Sequence, residues 1–389
     1  MVIDMDKNVG LPSLRFKGFN ETWEQCRLDE LGTIVTGSTP STAISEYYSS
    51  DGIPWVTPTD ISENITINTS RKLSVEGQKI SRIVPKNTIL VTCIASIGKN
   101  TLLGSKGSFN QQINGLIPKE NNDPYFLYSV SSHWSQFIKR MGGGLTFQIV
   151  NKTEFSRVLT YAPKYDEQKK IGSIFGSIDN LITLHQRKYE KLINVKKSLL
   201  GRMFPQNGSH IPQIRFKGFN ETWEQCKLGD LTNITTGKLD ANAMDVDGKY
   251  DFYTSGVQKY RINSYSFDGP AITIAGNGAT VGHMYLANGK FDAYQRTYVL
   301  TEFRADRKFI YYSVGKALPK KIFEEARKGN IPYIVMDMLT DLYLKTPEKT
   351  EQDKIGSVFR SLDNLITLHQ RKHKKLTNIK KALLQKMFV

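Results

Sequence analysis

Three short motifs set chemistry-bearing residues at spacings an enzyme could use, and each fails at a required position. Asp123-Pro124-Tyr125-Phe126 approaches the D/N-P-P-Y/F motif of amino methyltransferases, but the second proline is missing and no F-x-G-x-G loop precedes it. Gly98-Lys99 ends like a phosphate-cradling loop, yet the earlier glycine it needs is Cys93 and the hydroxyl residue is Asn100. Glu167-x-Lys169 could close a nuclease motif, but its downstream copy is Glu351-x-Asp353, so no duplicated nuclease site exists. His185 and His369 have no cysteine or carboxylate cluster to complete a metal site. The sequence therefore predicts a non-catalytic chain, with no cofactor or metal of its own.

What the chain does hold are side chains suited to reading DNA. Residues 29–160 offer Thr57, Thr59, Asp60, Asn110, Gln111 and Gln112; the later segment offers Ser255, Gln258, Lys259, Arg261, Asn277, Gln295 and Arg296. Asn and Gln pair bidentately with adenine, and Arg with guanine, in the major groove. Gln111 and Gln295 occupy matching places, so a shared structural role stands beside base contact for that pair. Arg261 and the 38–94 region differ between the segments and are the better candidates for specificity. Gly98 and Gly282 read as turns.

The frame that positions these groups is written twice. Residues 14–28, LRFKGFNETWEQCRL, return at 214–228 with 13 of 15 positions unchanged, and residues 167–189 return at 351–373 with 18 of 23 unchanged. The first block repeats at a spacing of 200 and the second at 184, which makes the first variable segment 16 residues longer. Thr36-Gly37 matches Thr236-Gly237 in the first register, while Ala95, Gly98 and Gln111 match Ala279, Gly282 and Gln295 in the second. The extra residues thus fall between Gly37 and Ala95, and both segments are copies of one αβ module with different surfaces.

Each second block opens a helix. Ile171, Ile174, Ile178, Leu181, Leu192, Val195 and Leu199 follow a 3-4 spacing, repeated by Ile355, Val358, Leu362, Leu365, Leu376, Ile379 and Leu383. His185 and Lys188, with copies His369 and Lys372, interrupt the seam at its middle. A further set, Phe175, Ile182 and Met203 with Phe359, Ile366 and Met387, widens the stripe, and a partner surface is expected to cover it. Asp166 is placed to cap the first helix. Helices over 166–204 and 351–389, pairing antiparallel with an approximate twofold between halves, would each run about 57 Å and fix the distance between modules. Residues 1–165 and 205–350 are the two modules.

The net charge of +16, from 53 Lys and Arg against 37 acidic residues, favours a polyanionic partner. The two helical segments carry +10 of it. Arg187, Lys188 and Lys191 with Arg371, Lys372, Lys374 and Lys375 suit a DNA backbone or an acidic protein interface; a plain solvated face is the alternative. Cys26 and Cys226 are copies of one another, not a disulfide framework, and fit a reducing compartment. No apolar run reaches membrane-spanning length and MVIDMDKNVG lacks a signal-peptide pattern, so no membrane partner is expected and the cytoplasm is the expected location.

The R-F-K-G-F lead with W-E-Q-C, the T-G-S-T-P turn at Thr36–Pro40, the segments Ser96–Lys99 and Asn110–Gly115, and the E-Q-x-K-I-G…D-N-L-I close of each half together resemble the specificity subunit of type I restriction–modification systems. The resemblance covers essentially the whole chain. It implies an α+β fold of two repeated target recognition domains, separated by two long conserved helices that form an antiparallel coiled coil with pseudo-twofold symmetry. It also implies double-stranded DNA as ligand, two modification subunits carrying S-adenosylmethionine, and restriction subunits carrying ATP. A stand-alone DNA-binding regulator and a coiled-coil scaffold are the competing readings.

Overall fold

Each half of the chain closes on itself through the opening block it shares with the other. Trp23 and Trp223 are buried, and the strands that follow them, Glu24–Arg27 and Glu224–Lys227, pair antiparallel with Leu159–Ala162 and Tyr343–Thr346. These late strands lie just before the long helices, so the ladder brings the start of each helix onto the block. A buried ion pair fixes it there. Arg15 forks onto Glu167 at 2.7 and 2.8 Å, and Arg215 onto Glu351 at 2.9 and 2.8 Å. Both glutamates are buried, and a bidentate partner of opposite charge compensates a carboxylate taken out of water.

The computed structural model describes residues 10–62, 64–94, 97–141, 150–206, 208–325 and 332–389. They form two units, residues 1–186 with 371–389, and residues 187–370. The expected boundaries at 165, 204 and 350 differ from these, because each unit takes the first half of one long helix and the last half of the other. Ala95, used to set the repeat register, Ser96, which opens the Ser96–Lys99 segment of the resemblance, and residues 1–9, read for a signal peptide, lie outside the described residues.

Unit one holds a five-stranded sheet in the order Gly32–Thr36, Ile113–Pro118, Ile89–Thr92, Asn100–Leu103, Ile65–Thr66, beside a three-stranded sheet of Lys72–Leu73, Tyr48–Val56 and Ser108–Phe109. Unit two holds a four-stranded sheet, Asn233–Thr236, Thr297–Thr301, Ala271–Ala275, Met284–Ala287, beside Lys259–Ile262, Tyr250–Tyr253, Lys290–Ala293 and Phe267–Asp268. The central strands Ile89–Thr92 and Ala271–Ala275 are buried at every residue, as expected of apolar runs covered on both faces. One cover is the helix Pro124–Met141, or Arg307–Glu325 in unit two. Registers also agree: Trp55-Val56 pairs in parallel with Ser108-Phe109, and Phe252-Tyr253 with Asp292-Ala293. The two segments share one fold. The insertion resolves into the edge strand Ile65–Thr66 and the helix Val75–Lys79, which have no counterpart among the described residues of unit two.

The long helices run Tyr165–Arg202 and Lys349–Met387. Asp166 is not the cap: it lies inside the first turn, and the carbonyl of Lys164 takes the first helical N–H groups. Gln168 does the anchoring. Its Oε1 accepts the Asp123 N–H and its Nε2 donates to Asn122 and the Pro163 carbonyl, a set that Gln352 repeats at Asp306 and Pro347.

Within unit one the central helix meets the end of the C-terminal helix, Phe175 packing on Phe388 at 5.5 Å and Asp179 pairing with Lys380 at 2.7 Å. Numbers rise along one helix as they fall along the other, so the pairing is antiparallel. Unit two repeats it with Phe359 on Phe204 at 5.9 Å and Asp363 on Lys196 at 2.6 Å. The expected seam is corrected in part. Ile171 and Ile355 are buried and Leu199, Leu362 and Leu383 pack on the clusters, but Leu181, Val195, Leu365 and Ile379 are 44, 37, 43 and 39 % exposed. Ile174, Ile178, Leu192, Val358 and Leu376 are half-buried. Phe175, Phe359, Met203 and Met387, assigned to the outer stripe, are the buried ones. The reason is local. Each helix end carries an aromatic residue that fills a notch beside the block's tryptophan, so packing is tightest where helix meets module.

Replacing Phe388 with Ala empties that notch. It should cost unit one about 3–5 kcal/mol, read as an earlier transition in urea. An unmoved midpoint would show that the terminal helix is not seated there.

Candidate nucleic-acid interface

In unit one, four loops meet at one end of the sheets. A Cβ on Gly37 would strike the carbonyls of Phe109 and Asn110, so glycine alone lets the 37–40 segment lie against the 110–112 turn. Ser38 donates its N–H to Phe109, Asn110 to Val56, and Cys93 to Gln112. Lys99 reaches the Pro58 carbonyl at 3.3 Å. Thr57, Thr59, Asp60, Asn110, Gln111 and Gln112 are thereby brought together.

Asp60 organises this end. Its carboxylate accepts from the Thr57 N–H at 2.9 Å, the Thr57 hydroxyl at 2.6 Å and the Ser70 N–H at 2.9 Å, and the Thr57 and Thr59 hydroxyls touch at 2.8 Å. Burial pushes the carboxyl up, but these donors outweigh it and hold Asp60 below the usual carboxylate range. Asn110 is spent locally, accepting the Gln112 N–H at 2.9 Å and donating to the Gln112 side chain at 3.2 Å. Gln111 is exposed, with no side-chain partner among the described residues.

Unit two builds the same end from different side chains. Gly237 allows the equivalent close approach to Ala293 and Tyr294. Gln295 donates its N–H to Leu239 and its side-chain amide to Asp240 at 2.9 Å, and Gly276 donates to Arg296. The Thr280 hydroxyl bonds the Ser255 carbonyl, and the Tyr285 hydroxyl bonds that of Val257. Ser255, Gln258, Asn277, Gln295 and Arg296 thus fall on converging loops, with Gln258 and Arg296 exposed. Lys259 is held over the rings of Tyr253 and Tyr285 at 5.1 and 5.3 Å, with Asp251 at 3.6 Å.

Arg261 departs from this group. It sits opposite Asp251 on the neighbouring strand, pairs with it at 2.6 Å, and donates to the carbonyls of Gly248 at 3.1 Å and of Lys249. Its fork holds the 248–251 turn. Conversely, the sequence reading passed over Lys99 and His283. They are copies of one another in the second register and follow the left-handed turns at Gly98 and Gly282, φ 84° and 82°. That repeat register was the available signal. His283 packs edge-on to Tyr285 at 4.7 Å, and burial holds its pKa below the usual histidine value.

On the long helices Arg187, Lys188, Lys191, Arg371, Lys372, Lys374 and Lys375 are all exposed. Among the described residues no group of three or more His, Cys, Asp or Glu could hold a metal ion, and no helix is long and apolar enough to cross a membrane.

The family model described as the type I restriction modification DNA specificity domain matches residues 20–194 and again 220–378. The specificity subunit of type I restriction enzyme EcoDI from Escherichia coli is 38% identical over 161 residues, which span 41% of this chain and 35% of that one. The MjaIX specificity subunit from Methanocaldococcus jannaschii is 25% identical over 399 residues, 94% of this chain and 92% of the relative. A crystal structure of a type I restriction–modification S subunit from M. genitalium shares the fold, with a TM-score of 0.73 at 16% identity over 97% of this chain and 99% of that one.

Asp60→Ala removes the acceptor of three hydrogen bonds. With about 1–3 kcal/mol at stake in bonds left unmade, amide exchange at Thr57 and Ser70 should quicken on the order of tenfold or more while the sheets stay protected. Unchanged exchange would mean the clasp is not formed.

Proposed function

Because this chain belongs to the type I restriction modification DNA specificity family, we propose that it reads double-stranded DNA for a complex whose chemistry is done by other subunits. One observation carries the reading. The two family matches fall on two modules of one fold whose loop ends carry different side chains. Like frames with unlike ends suit a bipartite, asymmetric target, one half-site per module, separated by an unread spacer. A scaffold would gain nothing from such divergence, and a stand-alone regulator would not need two long helices with matching exposed faces.

In this reading the loop ends approach base edges. Gln111, Gln258 and Arg296 are exposed candidates for direct contact, while Asp60, Asn110 and the equally exposed Gln295 are tied into the loops that present them. The helices set the spacing between half-sites and dock two modification subunits, which bring S-adenosylmethionine; restriction subunits bring ATP. The chain itself is non-catalytic and works in the cytoplasm, where the DNA is. The exposed arginines and lysines at 187–191 and 371–375 contact phosphates or the modification subunits.

Exchanging residues 29–160 for another variable segment should change one half-site in the methylation pattern and leave the other intact. A change in both would contradict modular reading. Replacing Lys374 and Lys375 with Ala in the assembled methyltransferase should weaken specific and nonspecific binding alike, and flatten the log-affinity against log-salt slope by about 1–2. If both are untouched while assembly collapses, these lysines belong to the protein interface.

A further inference from the structure

The twelve residues Arg15–Cys26 are identical to Arg215–Cys226, and the structure accounts for only some of them. Trp23 and Trp223 fill the cores, Arg15 and Arg215 hold the buried glutamates, and Gly18 and Gly218 adopt φ of 98° and 96°. Lys17, Asn20 and Glu21 are exposed, as are Lys217, Asn220 and Glu221. Fold does not require the lysines and asparagines among them. Glu21 pairs with Lys164 at 2.7 Å, yet the residue matching Lys164 is Glu348, and Glu221 is kept without that partner. Neither Lys17 nor Lys217 has an ion pair among the described residues. Glu21 and Glu221 each lie near their own block arginine and favour its charge, but no internal ion pair or side-chain hydrogen bond among the described residues accounts for the identity of Lys17 with Lys217 or of Asn20 with Asn220.

Their setting is also built twice. Phe19 donates its N–H to Phe16 across a tight turn at 3.3 Å, and Phe219 to Phe216 at 3.5 Å. The glycine's positive φ is what such a turn requires at its third position, and no atom lies within 4 Å of where a Cβ on Gly18 or Gly218 would stand. Lys170 caps the Phe19 ring at 4.7 Å, and Lys354 caps Phe219 at 4.6 Å. Each turn thus presents one free ammonium, Lys17 or Lys217, beside a second held on an aromatic face. Phe16, Phe19, Lys170 and Ser173 line one groove at the foot of the central helix; Asp166 and Lys169 line it too and become Thr350 and Asp353 in the copy, so the constant part of the groove is the turn with Lys170 and Ser173. The helix's exposed face is itself repeated: Ser177, Asn180 and Leu184 match Ser361, Asn364 and Leu368.

We propose that the Phe16–Phe19 turn and its copy at Phe216–Phe219 are docking surfaces for an acidic segment of the modification subunit, one subunit per turn. The loop ends of the two modules have diverged, so the partner of a turn that stayed identical is itself identical and binds twice. Paired ammonium groups beside an aromatic ring favour carboxylates on that partner, and the groove is continuous with the helix face assigned above to the same subunit. The inference rests on the proposed function.

The test is native mass spectrometry of the full chain with the modification subunit of its own system, using Lys17→Glu, Lys217→Glu and the double variant. All change exposed side chains only. The wild type should bind two copies, each single variant should bind one of the two at least tenfold more weakly, and the double variant should lose both. Asn20→Arg with Asn220→Arg should act in the same direction by blocking the turn. Two copies retained by both double variants at unchanged affinity would overturn the surface while leaving the proposed function standing. Loss of DNA affinity with both subunits still bound would also overturn it, and would make Lys17 and Lys217 phosphate contacts. A wild type that binds no modification subunit would instead sink the parent reading.

Discussion

A carboxylate set between helices is the constraint to which the rest of each unit conforms. Asp179 lies one third of the way along the central helix, out of water, and is tolerable there only because the Tyr125 hydroxyl donates to it at 2.9 Å and Lys380 pairs with it at 2.7 Å. Those partners come from the module's covering helix and from the other long helix, so one charge ties three elements at a point. Burial and the neighbouring carboxylate together push the Tyr125 phenol far up, so it serves as a donor at any physiological pH. Asp363, Tyr312 and Lys196 repeat the arrangement, with the hydroxyl at 2.6 Å.

From that lock outward the specification is strict near the helices and loose near the loops. The covering helix is held by its tyrosine, the sheet beneath it by apolar packing, and only the far end of the sheet is free to vary. Unit one spends that freedom on an extra edge strand and the Asp60 clasp; unit two spends it on Lys259 between two tyrosines and on Gln295 tied to Asp240. Recognition can change there without disturbing the frame, because the lock between the helices does not depend on that end.

How much of this could be read from the residues alone follows the same gradient. The repeats, the placement of the insertion and the two long helices were legible because identity and apolar spacing survive without knowledge of contacts. The helix seam was legible only in outline. A 3-4 spacing names the apolar positions of Leu181 or Ile379 but not the aromatic notch that makes Phe175 and Phe388 the buried pair. The ties of Arg261 were not legible because they depend on a strand register that puts Asp251 directly opposite. Gln168 and Gln352, which anchor both long helices, carried no pattern beyond their place in the repeat.

Unit one is built from two stretches of chain far apart in sequence, and that has a consequence for its birth on the ribosome. The Ser13 hydroxyl bonds the carbonyl of Lys386, 373 residues away, and Phe388 fills a core whose other walls are complete once the chain passes Phe175. At about 5–20 residues per second, the nascent first unit waits on the order of 10–40 s with its notch open. Unit two, by contrast, closes as soon as its own residues emerge. Translation that stops early therefore leaves an intact second unit attached to a first one with an exposed aromatic pocket, a form that quality-control proteases can distinguish from the finished protein.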